Sequence, residues 1–118
     1  MTSDRAIAII GGGIAGLTAA LAIARAGRPV TVYEQAARFE EVGAGLQLSP
    51  NAGHALEALG LGPALADAAT EPEAILIGEG RSGRVLARLP LGPHARERWQ
   101  APYRVVHRAD LLALLVEA

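Results

Sequence analysis

The run Ile7-Ala8-Ile9-Ile10-Gly11-Gly12-Gly13-Ile14-Ala15-Gly16, followed at the end of a second apolar run by Glu34, constrains this chain more than any other feature. Residues 6–10 are continuously apolar, the pattern of a parallel strand covered on both faces. In such a unit Gly11 makes the tight turn out of the strand. Gly13 lets the backbone approach a pyrophosphate, and Gly16 lets the next helix pack close to the sheet. The spacing predicts a helix from about Ile14 to Ala26, with Leu17, Ala20, Leu21 and Ala24 on one face. Gly27 ends it, and Arg25 and Arg28 sit near the negative end of its dipole. The helix start offers N–H groups and positive potential to phosphates. Pro29 opens a second strand, Val30 to Tyr33, and Glu34 follows where a carboxylate accepts hydrogen bonds from the two hydroxyls of an adenosine ribose. A 2′-phosphate there would meet a like charge, which disfavours NADP in this pocket. Strand, glycine turn, helix, strand and acid in this order predict a βαβ dinucleotide-binding unit.

The 118 residues have the length of one ordinary domain, and 51% hydrophobic content is enough to build a core. A net charge of −1 gives no electrostatic case for nucleic acid or an anionic membrane as partner. No cysteine is present, which excludes disulfides, thiolate-held zinc and a thiol nucleophile, and agrees with a cytoplasmic protein. The apolar first 26 residues resemble a signal peptide in composition. However, Asp4 precedes the apolar run and three consecutive glycines break it, so a buried strand and helix account for it better. No run is long enough to span a membrane. His54, His94 and His107 share no ligand spacing, so no metal site is expected.

Beyond Glu34, residues 35–48 read as an irregular stretch containing Gly43-Ala44-Gly45, and loops of that length in an α/β unit are usually functional. Ser49-Pro50 signals a helix start, with burial of Ala52, Ala55, Leu56 and Leu59. A short helical stretch follows over Pro63–Ala69. The runs Ala74–Ile77 and Arg84–Leu89 flank Gly80-Arg81-Ser82-Gly83 and predict an antiparallel hairpin. Residues 90–102, with three prolines, read as loop; Arg96, Glu97 and Arg98 are then a solvated charge cluster, and Trp99 and Tyr103 an aromatic plug on a sheet edge or a pocket wall. Tyr103–His107 is predicted as a strand, and a last helix begins near Ala109. A doubly wound sheet needs more parallel strands than these to cover its first two, so the expectation is the N-terminal part of a larger fold whose open edges favour self-association. From the residues alone, Arg108 is a strand-end arginine pairing with Asp110 or a helix terminus.

The runs GGGIAGLTAALAIARAGRPVTVYEQ, EVGAGLQLSPNA and APYRVVHRADL resemble the single-component FAD-dependent aromatic-ring monooxygenases, in particular their 3-hydroxybenzoate 6-hydroxylase and salicylate hydroxylase branch. The resemblance spans nearly the whole chain. It implies that Gly11, Gly13 and Gly16 hold the FAD pyrophosphate, with the backbone of Ile14 and Ala15 alongside, and that Glu34 binds the ribose. It also implies that the Gly43–Gln47 loop, through Ala44, Gly45 and Gln47, lies along the flavin. Arg108 would reach FAD from a helix start, and Arg38 would stack on adenine. The implied reaction is hydroxylation of a small aromatic substrate, a phenolic or hydroxybenzoate-type acid, with NADH or NADPH and oxygen. The family's second flavin motif, an Asp-Gly pair, is absent: Asp occurs only at 4, 67 and 110. The implied architecture is an α/β Rossmann-like unit with its following helix (1–60), an antiparallel hairpin (72–90) belonging to a substrate-domain sheet, and a strand and helix (103–118) returning to the FAD-binding part. The catalytic groups are expected outside residues 1–118, so these residues alone are expected to be inactive. Two alternatives are a non-catalytic nucleotide-binding module and another FAD-dependent oxidoreductase class. The second leaves EVGAGLQLSPNA and HRADL without a reason.

Overall fold

The computed structural model describes residues 5–39 and 43–118; Met1–Asp4, including the acid weighed against a signal peptide, and Glu40–Val42, the front of the EVGAGLQLSPNA run, lie outside them. The chain opens with the expected unit. Strand β1 (Ile7–Ile10) passes through the glycine turn into helix α1 (Ile14–Arg25) and returns in strand β2 (Val30–Tyr33). β1 and β2 pair in parallel, Ile7 opposite Val30 and Ile10 opposite Tyr33. Gly11 takes φ +103, a conformation β-carbon residues avoid, which turns the chain sharply off the strand. At Gly16 a Cβ would fall inside the Gly11 carbonyl oxygen, so only glycine allows this strand and helix to approach so closely. The helix ends as expected: Gly27 at φ +74 donates to Ala24 and Arg28 donates to Ile23, closing the last carbonyls in a Schellman turn.

Two segments depart from the sequence expectation. Part of the stretch read as irregular is strand β3 (Gly45–Leu48), which pairs antiparallel with strand β6 (Arg104–His107). Four residues starting at a glycine give an alternation too short to recognise, and the partner lies some sixty positions away in sequence. Residues expected as loop include helix α4 (Pro93–Trp99), with proline at its first turn and Gln100 in the left-handed conformation at its end. Its single buried residue, Ala95, leaves no periodic apolar face to read. The other elements fall near their expected places: helix α2 (Pro50–Ala58), helix α3 (Gly62–Ala68), strands β4 (Ala74–Gly78) and β5 (Val85–Pro90), and helix α5 (Arg108–Glu117). α2 buries Gly53 and Leu56, with Ala52 and Leu59 half-buried and Ala55 exposed; the helix therefore turns a narrower face inward than expected. Arg108 is the first residue of α5 instead of a strand end.

The core collects Leu17 of α1, Leu48 of β3, Leu56 of α2, Leu61 and Leu65 around α3, Val106 of β6, and Leu111, Leu112 and Leu115 of α5. The β4–β5 hairpin stands outside it. Its Leu76, Ile77, Val85, Leu86 and Leu89 are 47–60% exposed, and β1 alternates half-buried and exposed where cover on both faces was expected, Ile10 being 83% exposed. The described sheets are three separate two-stranded pairs, not one doubly wound sheet. The radius of gyration, 17.6 Å, exceeds the roughly 13.5 Å of a compact chain of this length, as an uncovered hairpin requires.

One charge sits inside this arrangement. Arg104 on β6 is 5% exposed; its Nη1 lies 3.5 Å from Glu57 and its Nε 4.0 Å from Glu71, and neither nitrogen has a hydrogen-bond partner among the described residues. Glu71 is gripped in turn by Arg96 of α4, whose Nε and Nη2 donate to its two oxygens. The chain of charges ties α2, the segment after α3 and α4 to the β3–β6 pair.

Two stability outcomes follow. Gly16→Ala forces a methyl into a backbone carbonyl that cannot yield, and is expected to cost about 1–3 kcal/mol or more, read as a lower urea midpoint. Glu71→Ala strips a buried cation of one partner and is expected to cost about 1–3 kcal/mol, whereas Arg104→Met removes the buried charge itself and should cost less, because Glu57 and Glu71 can turn to solvent. Equal losses in the last pair would show that Arg104 is held by packing and not by charge.

Candidate dinucleotide-binding site

The end of β2 and the glycine turn meet through Glu34. Its Oε2 accepts from the Gly12 N–H at 2.6 Å and its Oε1 from the Ala36 N–H at 2.8 Å. The backbone N–H of Ala36, then that of Gly12, hold the carboxyl below its ordinary value of 4.5. A carboxylate carries about four lone-pair sites, so these two bonds leave acceptor capacity for two hydroxyls. Gly12, Gly13, Glu34, Ala36, Arg38, Phe39 and Leu112 line a cleft of about 140 Å³ at this point. α1 begins immediately beside it, and the N–H groups of its first turn have no partner within the helix. A Cβ on Gly13 would meet nothing within 4 Å, so the backbone there faces open space that a phosphate can enter.

Of the residues expected at a cofactor site, Gly13, Glu34 and Arg38 line one cleft, and Gly11 and Gly16 shape the turn beside it. Ile14 and Ala15 form the first turn of α1 without lining the cleft. Sequence reasoning missed Gly12, Ala36, Phe39 and Leu112. The third glycine of the run was the available signal for Gly12, since the G-x-G-x-x-G spacing does not require it.

The second predicted group also comes together. β3 and β6 pair with Gly45 opposite His107, so the next residue, Arg108, falls beside Ala44 and donates its backbone N–H to the Ala44 carbonyl at 3.2 Å. The Arg108 stem packs on Gly43, where a Cβ would lie 3.0 Å from its Cβ. Leu112, one helical turn after Arg108, lines the Glu34 cleft, so the α5 face carrying Arg108 looks toward the glycine turn. Gln47 is exposed on β3, opposite Val105.

A larger and mostly apolar cavity, about 630 Å³, opens beside the start of α2. Its walls include Ser49, Asn51, His54, Leu89, His94, Trp99 and Tyr103. Trp99 and Tyr103 therefore line a pocket, the less favoured of their two sequence readings. The His94 and Trp99 rings meet edge to face at 6.2 Å, and His54 Nε2 donates to the Trp99 carbonyl at 2.9 Å. Among the described residues no helix is long and apolar enough to cross a membrane.

Comparison with known proteins agrees with this geometry. A model of the NAD(P)-binding Rossmann-like domain matches residues 9–39. A 3-amino-4-hydroxybenzoate 2-monooxygenase of Streptomyces platensis is 51% identical over 111 residues, 94% of this chain and 28% of that protein. The 3-hydroxybenzoate 6-hydroxylase 1 of Aquipseudomonas alcaligenes is 46% identical over 112 residues, 95% of this chain and 28% of that protein. Among solved structures, Klebsiella pneumoniae HpxO complexed with FAD and uric acid superposes with a TM-score of 0.82 at 27% identity, covering 99% of this chain and 28% of that one. The chain thus spans well under a third of the length of the relatives it matches. Over nearly all of its own length it is similar to FAD-dependent aromatic-ring hydroxylases, the group that its glycine turn, Gly43–Gln47 segment and HRADL run resemble.

Proposed function

We propose that this chain is the FAD-binding portion of a flavin-dependent monooxygenase that hydroxylates a phenolic or hydroxybenzoate-type aromatic with NADH or NADPH and oxygen. The observation that carries this reading is the Glu34 cleft. An ionised acid, a glycine turn with room at Gly13 and the start of α1 converge on about 140 Å³ of space, with the Arg108 face of α5 turned toward it. These residues fit the adenosine and pyrophosphate of FAD. Glu34 would accept the ribose hydroxyls, the Gly13–Ala15 backbone would meet the phosphates, and Arg108 would supply a fixed fork of donors to phosphate or ring-carbonyl oxygens. When bound, FAD supplies the redox chemistry; these residues orient it and fix charge around it. The same reading gives Ala44, Gly45 and Gln47 to the flavin's edge and leaves residues 72–90 to a sheet completed by further strands, which the uncovered hairpin supports. It puts the protein in the cytoplasm, where NADH and NADPH are made, and makes self-association through the hairpin an expected property of residues 1–118 taken alone.

Titration with FAD and NAD tests the ligand. FAD should bind more tightly, and Glu34→Ala should weaken it about 10- to 100-fold through lost hydrogen bonds to a charged acceptor. Tighter binding of NAD would overturn the assignment. Arg108→Lys should restore only part of the flavin retention lost in Arg108→Ala, because an ammonium lacks the planar fork; full retention in the alanine variant would return Arg108 to a purely structural role.

The pH dependence has a definite sign. Because Glu34 titrates below 4.5, it is ionised at neutrality, and its share of FAD affinity should stay level as pH falls to that value. That share is lost only as pH drops through the lowered value. FAD titrations across this range should show the acid limb in the wild type and none in Glu34→Gln. Mixed with FAD, NADH or NADPH and a panel of hydroxybenzoates, residues 1–118 should show no substrate-dependent oxygen uptake. Hydroxylated product would place the catalytic groups within these residues.

A further inference from the structure

Phe39 is the one phenylalanine in the chain, and it sits at the mouth of the Glu34 cleft, 45% exposed. Its ring lies directly on the glycine turn: Cε1 is 2.5 Å from the point a Cβ on Gly12 would occupy, and the Glu34 Oε2 is 3.1 Å from the same point. Ring and carboxylate are therefore neighbours over one backbone position, which explains why the middle residue of the triple glycine carries no side chain. The opposing apolar wall is Leu112, and Arg38 lies at the rim. A space of about 140 Å³ falls well short of the roughly 300–1,000 Å³ of a site enclosing a whole small ligand, so it suits one ring system. An acid for sugar hydroxyls, with a half-exposed aromatic ring beside it, is the combination that recognises a nucleoside: the base has a π-face to stack, and the sugar has donors to give.

Resting on the reading of this cleft as an adenosine site, we propose that Phe39 is the residue on which the adenine ring stacks. This moves the stacking role from Arg38, where the family resemblance put it, to the neighbouring aromatic. Gly12 is then a site residue in its own right, because it seats the ring beside the acid. The competing role for Phe39 is packing alone, since it also borders an apolar groove with Leu17, Leu115 and Val116. Phe39→Leu separates the two, because it keeps apolar bulk and removes the π-face.

The test is calorimetric titration of the chain with ADP, UDP and FAD, in the wild type and in Phe39→Ala, Phe39→Leu, Phe39→Trp and Glu34→Ala. The wild type should prefer ADP to UDP. Both Phe39→Ala and Phe39→Leu should weaken ADP and FAD about 10- to 100-fold and level the ADP–UDP difference, as lost base stacking does. Phe39→Trp should keep the affinity, and in a Trp99→Phe background its emission should be quenched by ADP. Leucine binding ADP as well as phenylalanine does would overturn the stacking role, and so would equal wild-type affinity for ADP and UDP. Weakened ADP binding in Glu34→Ala beside an unchanged Phe39→Leu would defeat this inference and leave the adenosine site standing. A folded wild type that binds neither ADP nor FAD would defeat both.

Discussion

The Glu34 carboxylate is the interaction on which the front half of the molecule depends. Parallel pairing brings β1 and β2 side by side, and its last bond, Gly11 N–H to the Tyr33 carbonyl at 2.7 Å, delivers Glu34 to the glycine turn. There the acid takes the N–H groups of Gly12 and Ala36, two donors that strand pairing does not use. The bonds do three things together: they fix the turn, start the segment after β2 on a defined course, and keep the acid ionised. A neutral side chain would satisfy the turn less strongly, and a larger residue at Gly12 would collide with the acid and with Phe39. The turn and the cleft wall therefore draw on one charge, and under the proposed reading so does ligand recognition. A carboxylate can serve both because backbone donors occupy only part of its accepting capacity.

The back half depends on register. β3 and β6 are far apart in sequence, and their pairing decides which residues stand beside which. With Gly45 opposite His107, the start of α5 lands against Gly43 and Ala44. A slip of one residue would invert one strand against the other and turn either Leu48 or Val106 out of the core. Burial of these two residues thus enforces the position of Arg108, two residues beyond Val106. The charge chain through Arg104, Glu71 and Arg96 adds a second restraint on the same strand, and ties α4 to it from outside.

What could be read in the sequence was local. The first strand, helix and second strand were legible because each glycine, the apolar runs and the acid report on conformation within a few residues of themselves. The hairpin was legible for the same reason. β3 was not, because the alternation of GLQL is only four residues long and the run has no strong strand former, and its stability comes from β6. α4 was not, because PHARERW has one buried residue; the Gly92-Pro93 pair before it was the overlooked start signal. At the site, Glu34 and Gly13 were found by spacing, whereas Phe39 and Leu112 reach the cleft through tertiary packing. Their positions depend on how the segment after β2 folds back and how α5 docks on α1, which no motif encodes.

The two cavities differ in size and in chemistry. The cleft at Glu34 is small, carries an acid and backbone donors, and is built almost wholly from residues 12–39, with Leu112 the exception. The larger cavity is mostly apolar and draws its walls from α2, the β4–β5 hairpin, α4 and Tyr103. Strand β3 has a distinct neighbour at each end. Its first end touches Arg108 through Ala44, and the chain leaving its last end, Ser49 to Asn51, enters the wall of the larger cavity. A ligand in the cleft would meet a charged, hydrogen-bonding wall, and one in the larger cavity an apolar, aromatic surround. Polar groups stay strongly hydrated unless a partner replaces the water, and a flat ring leaves water readily. That difference alone separates what each cavity can hold: a group rich in hydroxyls beside Glu34, and an apolar ring beside Trp99 and Tyr103.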